Sequence, residues 1–220
     1  MRVALRVTAR ARRFTLRLAS DGDGAVLTMP PGVPLEAVEA FIQGHRGWLA
    51  RALVKQPALM AVGDGTEIPI DGKARRVRVD QGGPLTPRLV DDRLVLGASR
   101  PPGPRIASWL KLRARSSLVP AVADFADQLG QPVAGVTLRD TRSRWGSCSS
   151  TGRIGLSWRL AMAPPAIQAY VAAHEAAHLV EMNHSPRYWA VLEGLMPDYA
   201  THRAWLRREG RGLHAFDFRA

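Results

Sequence analysis

Three histidines, His174, His178 and His184, constrain this chain more than any other feature. Their imidazoles can meet at one point only if residues 174–178 are helical and the chain doubles back before residue 184. Side chains four residues apart on a helix stand one turn above each other, so His174 and His178 share a face. Glu175 is rotated by about 100° from His174 and lies beside that meeting place. The surrounding pattern supports a helix from about residue 166 to residue 182, with Ile167, Tyr170, Val171, His174 and His178 along one side. Three neutral imidazoles suit zinc and leave a fourth tetrahedral position open, as in catalytic sites. The third ligand admits alternatives. Glu181 lies three residues past His178, and Glu193 falls on the next helix. His184 is preferred, because Asn183 tolerates the left-handed conformation that ends a helix and would swing the following residue back. In the spacing His-Glu-x-x-His-x5-His, Glu181 and not a glycine stands in the turn, so the turn has to be built another way.

The rest of the chain divides by its periodicities. Residues 3–18 alternate apolar and polar side chains, Asp21–Gly24 reads as a turn, and residues 25–29 return as a partner strand. A helix follows from Leu35 to about Leu53, with His45 on its apolar face as a buried histidine. Short β-like runs separated by Asp-Gly, Gly-Gly and Asp-Asp turns fill residues 63–97. The stretch from Ser99 to Pro104 is the best linker, which predicts two domains, 1–100 and 101–220. Beyond it, a long helix is expected to be kinked at Pro120 and stopped by Gly130. A strand at 136–138 and a polar connection at 139–150 come next. A strand at 154–160 then feeds the histidine helix. Ser185-Pro186 and Asp198 read as the starts of two last helices. Trp145 and Trp158 are expected in the core, and Cys148 as a small buried residue.

The net charge of +12 invites a nucleic-acid reading. It divides evenly between the two halves, and 28 of the 31 basic residues are arginine. Only the first twenty residues concentrate it, with Arg2, Arg6, Arg10, Arg12, Arg13 and Arg17 and no acid before Asp21. The single cysteine cannot form an intrachain disulfide, and no apolar run is long enough to span a bilayer, so a cytoplasmic protein without membrane contact is expected.

The strings RWGSCSSTGRIGLSWRLAMAPP, HEAAHLVEMNHSPRYW and LMPDY resemble the YgjP-like, SprT-related family of bacterial zinc metallopeptidases. The similarity extends to the RRFTLRL strand and the GHRGWLARAL helix end. It implies an α+β fold: an N-terminal, mostly antiparallel β unit with one helix, then a zincin-like helical unit with a short sheet. It also implies zinc ligands at His174, His178 and His184, with Glu175 as catalytic glutamate. The expected function is hydrolysis of peptide bonds in a protein or peptide substrate by a zinc-bound water that Glu175 activates. Tyr188, Tyr199, Arg142 and Arg144 lie near the site in sequence and are the candidate transition-state stabilisers. If the strand at 154–160 is an edge strand, a substrate could add to it. The alternative is a non-catalytic protein braced by structural zinc that associates weakly with nucleic acid through the basic N-terminus.

Overall fold

A computed structural model describes residues 2–19, 24–54 and 59–219. The chain forms two compact units, residues 1–59 and residues 60–220. The first carries strands β1 (Val3–Val7), β2 (Thr15–Leu18) and β3 (Ala25–Met29), then helices α1 (Leu35–Gly44) and α2 (Arg46–Val54). The central strand β3 pairs antiparallel with β2 and parallel with β1. Period-two alternation sends Leu16, Leu27 and Met29 to one face, where Val38, Phe41 and Ile42 of α1 cover them. The turn expected over Asp21–Gly24 lies mostly outside the described residues. The single helix expected at 35–53 breaks at His45. That residue is exposed, not buried. Its Nδ1 lies 2.8 Å from the Phe41 carbonyl and its ring stacks on Phe41.

The second unit opens with β4 (Met60–Ala61), then β5 (Glu67–Ile70), β6 (Lys73–Asp80), β7 (Arg88–Val90) and β8 (Arg93–Gly97). The last four form a sheet in the order β5-β6-β8-β7, in which only β6 and β8 are parallel. Helix α3 (Pro102–Gln128) starts directly from the stretch read as a linker. The units therefore part at residue 59 and not at residue 100. Ile68, Leu94 and Leu96 of the sheet and Ile106 and Leu110 of α3 fill one core, so no seam falls between them. Pro120 leaves α3 continuous. The fully buried stripe Leu110, Ala114, Leu118 and Val122 outweighs the one lost hydrogen bond.

Next come β9 (Gly135–Arg139), β10 (Gly146–Cys148) and β11 (Arg153–Ser157), a short 3₁₀ turn at Trp158–Met162, and helices α4 (Pro165–Ala177), α5 (Pro186–Leu195) and α6 (Tyr199–Glu209). A second 3₁₀ turn, Gly210–His214, leads to β12 (Phe216–Asp217), which pairs with β4. The sheet order is β10-β11-β9, so β11 is central and the condition for a substrate to add to it is not met. The segment 139–150 holds a strand of its own, β10, and that strand takes the free edge.

Two polar clusters fix α4. The β5–β6 turn, where Asp71 has φ 50°, donates its Asp71 and Gly72 amides to the carbonyls of Ala161 and Met162. Gln168, 4% exposed, donates to Asp71 and Ala163 and accepts from Ser117, while Arg113 pairs with Asp71. Every polar atom of that buried amide side chain is thus engaged. Arg159, also 4% exposed, donates to Asp140 and to the carbonyls of Leu213 and Phe216, tying the end of the chain to the loop before β10. No described helix is long and apolar enough to cross a membrane.

Candidate metal centre

Helix α4 begins with Pro164 at its N-cap and Pro165 in its first turn, and it is buried on nearly all sides. Alanines at 172, 173, 176 and 177 allow neighbouring elements to approach closely. The helix ends at Ala177, five residues earlier than expected, and His178 occupies the C-cap with helical backbone angles. Asn183 is not in the left-handed region: among the described non-glycine residues only Asp71 and Asp91 have positive φ. The reversal is built instead from hydrogen bonds. Glu181 N donates to Ala177 O, His178 Nδ1 lies 3.0 Å from Glu181 O, and Asn183 donates to the Glu181 carboxylate. Glu181 therefore organises the turn. Ser185 caps α5 by accepting from the Tyr188 amide, as its sequence suggests.

This reversal brings the three imidazoles together. One ligand atom from each of His174, His178 and His184 falls within 4.8 Å of the others, and the Nε2 atoms of His174 and His184 are 3.3 Å apart. Among the described residues no fourth histidine, cysteine, aspartate or glutamate joins them, so Glu181 and Glu193 are not part of the cluster. The hydrogen bonds fix the tautomers. Tyr188, fully buried, has its hydroxyl 3.0 Å from the His174 carbonyl and 2.7 Å from His174 Nδ1. The phenol donates to the carbonyl, so Nδ1–H donates to the phenol and Nε2 keeps its lone pair. In the same way His178 spends its Nδ1–H on Glu181 O and keeps Nε2 free. These bonds are the outer partners that metal-ligating histidines require. Replacing Tyr188 by phenylalanine is expected to raise the zinc dissociation constant about 10–100-fold without unfolding the protein. Competition against a chromogenic chelator measures this, and an unchanged affinity would refute the role.

The cluster opens into a cavity of about 410 Å³. Arg144, Trp145 and β10 form part of its lining, as do Tyr170 and Val171 of α4, Met182, and Leu206 of α6. Glu175 also lines it yet is 4% exposed, and its Oε2 is buried with no hydrogen-bond partner. Burial pushes its carboxyl up to about 8 against the opposing pull of Arg144. Burial pushes His174 down to about 3, with help from the neighbouring His178 and His184. The donor set fits a zinc ion: three converging imidazoles, two of them with Nε2 left free by their hydrogen bonds, no fourth protein ligand among the described residues, and a buried carboxyl oxygen left unpartnered beside them.

The candidate stabilisers separate by position. Arg144 lines the cavity. Tyr188 lies under the imidazoles with its hydroxyl fully used. Tyr199 stacks on Trp189, and Arg142 is not among the lining residues. Two core expectations also divide. Trp158 is 3% exposed, whereas Trp145 faces the cavity and stacks on His214. Cys148 is half-buried in the cavity wall, and burial followed by the charge of Glu175 pushes its thiol up to about 11, which makes it a poor nucleophile.

Three residues that sequence reasoning missed complete the site. Trp189 stacks on His184 and donates its indole N–H to the His184 carbonyl at 3.2 Å. Its place, five residues past His184 on a capped helix, was the available signal. Tyr170, one turn before His174, lines the cavity. Gly146 lies so close to Glu175 that a Cβ there would be 2.5 Å from the glutamate Cγ.

No curated protein matches the chain in sequence. Among solved structures, the metallopeptidase zymogen of Pyrococcus abyssi abylysin is similar, with 22% identity and a TM-score of 0.37 over 41% of this chain and 93% of that one. The family profile described as YgjP-like, metallopeptidase domain, matches residues 12–209, which include every residue of the histidine cluster, and the chain therefore belongs to the YgjP-like metallopeptidase family.

Proposed function

We propose that this chain is a zinc-dependent peptidase in which His174, His178 and His184 hold the metal and Glu175 is the general base. The observation that carries this reading is the convergence of three imidazoles on an open cavity that also receives a buried, unpartnered carboxyl from the same helix. When bound, zinc supplies a Lewis acid for the scissile carbonyl and lowers the pKa of a water to roughly 7. Glu175 takes the proton of the attacking water and passes it to the leaving amine. Its burial raises its proton affinity toward neutrality, where a group that first accepts and then donates works best. A structural zinc in a nucleic-acid-binding protein would call for a fourth protein ligand, and the described residues offer none.

The free edge of β10 is the natural seat for a peptide main chain. Trp145 O accepts from Ser157 N, and Ser149 N donates to Arg153 O, so those residues spend their backbone groups on the β11 side. Antiparallel alternation then turns the backbone groups of Gly146 and Cys148 outward, along the cavity wall. An extended substrate pairing there would be recognised through its backbone, with little dependence on sequence. Metal analysis beside casein hydrolysis tests the proposal. One zinc per chain is expected, with hydrolysis lost to a chelator and restored by added zinc. Hydrolysis that survives complete metal removal would overturn it.

A further inference from the structure

The cavity has one arginine in its lining, Arg144, and two more, Arg203 and Arg207, lie on the helix that borders it. Arg144 forms no ion pair among the described residues, and the carboxyl its charge acts on is the buried Glu175. Helix α6 presents Leu206 to the cavity, with Arg203 one turn before it and Arg207 next to it. Arg203 lies 4.5 Å over the Trp189 ring, and that ring stacks on His184. The cation is thereby held beside the third ligand without being consumed by an acid. The charges of Arg203 and Arg207 both act on the phenol of Tyr170, which lines the same cavity.

Two of the nearby carboxylates are paired with arginines, and none of the four lines the cavity. Asp140 pairs with Arg159, Asp198 with His202, and Glu209 with Arg208, while Glu181 accepts from Asn183. Glu193 does not line the cavity. Of the lining side chains, Glu175 is the one carboxylate and Arg144 the one arginine, and Arg203 and Arg207 lie on the helix beside the cavity.

Resting on the peptidase reading, we infer that this site selects peptides that present a carboxylate close to the scissile bond, either an acidic side chain or the C-terminus of the chain. Arginine is suited to this role, since its planar fork pairs with a carboxylate through two parallel hydrogen bonds. Attraction and steering both act in favour of anionic peptides and against cationic ones.

The test uses the zinc-loaded full chain and a set of internally quenched peptides with one common core. Glu, Gln or Lys flanks the core, and each peptide is made with a free or an amidated C-terminus. For the Glu amide over the Gln amide, a preference of about tenfold in kcat/KM is expected, with the Lys peptide poorest. The preference should shrink toward unity at about 0.5 M salt. It should also shrink in Arg144→Gln and Arg203→Gln. If the free C-terminus is the carboxylate read, the gap between acid and amide exceeds the gap between Glu and Gln. Equal rates for all peptides, or a preference for Lys, would overturn the inference while leaving the peptidase reading intact. Equilibrium binding of the same peptides to Glu175→Gln, read by fluorescence anisotropy, decides the matter without turnover. Tighter binding of the carboxylate peptides supports selection even if nothing is cleaved, in which case the peptidase reading alone fails. Binding indifferent to charge overturns the inference.

Discussion

Glu175→Gln should retain one zinc per chain and lose about 10²–10⁴-fold in kcat, the share that a positioned general base contributes. The substitution keeps the shape of the side chain and removes its ability to accept and hold a proton. It does not touch the three imidazoles, and neither His174 nor His178 is oriented by Glu175: their Nδ1 atoms are committed to Tyr188 and to the Glu181 carbonyl. Metal content is therefore expected to stay constant while turnover collapses. The fold should not suffer, because the carboxyl is almost completely buried with one oxygen unpartnered, and a neutral amide is no worse in that place. The measurements are metal stoichiometry, kcat and the melting temperature of the two proteins. Loss of the metal in the variant, or turnover near that of the parent, would contradict the assigned role.

Gly146→Ala is expected to reduce kcat/KM by about 100-fold at unchanged metal content. An alanine Cβ would lie 2.5 Å from Glu175 Cγ and 2.6 Å from its Cδ, closer than carbon atoms can approach. Either the glutamate or β10 has to move. Both displacements are expected to harm the reaction, because one shifts the proposed base and the other shifts the edge proposed to seat the substrate. Gly155→Ala supplies the control on the same sheet, since its Cβ would come near only side-chain ends, the Ser147 hydroxyl at 3.1 Å, Thr137 Oγ1 at 3.5 Å and Arg139 Nε at 3.8 Å. Steady-state kinetics and metal analysis of both variants check the contrast. Equal activity in the two would show that the crowding at residue 146 has no bearing on catalysis.

Most of the histidine cluster is readable from the sequence because it rests on local geometry. Helical spacing puts His174 and His178 on one face, and Ser185-Pro186 announces the next helix. What escaped depends on partners distant in the chain or on elements too short to show a period. Strand β10 has three residues, Gly146, Ser147 and Cys148, which give no alternation and resemble a loop. Its position at the edge, and the central place of β11, follow from pairing that no local pattern encodes. The parallel pairing of β1 with β3 and of β6 with β8 is non-local in the same sense. The turn after α4 was assigned to a left-handed Asn183, whereas side-chain and carbonyl bonds of Glu181 build it. Tyr188 and Tyr199 lie near the site in sequence but serve as supports, one hydrogen-bonded to His174 and the other stacked on Trp189. Arg144, from a loop thirty residues upstream, does reach the cavity.

The clamp between the β5–β6 turn and the start of α4 bears on how this protein can be divided. A fragment beginning at residue 101 would contain each histidine of the cluster together with Glu175, and would look self-sufficient on paper. It would also strip the carboxylate of Asp71 from Arg113 and Gln168, and leave the carbonyls of Ala161 and Met162 without donors. Ile106 and Leu110 would lose the apolar lid provided by Ile68, Leu94 and Leu96. The smallest piece that can hold its own active helix in place therefore has to begin upstream of the four-stranded sheet.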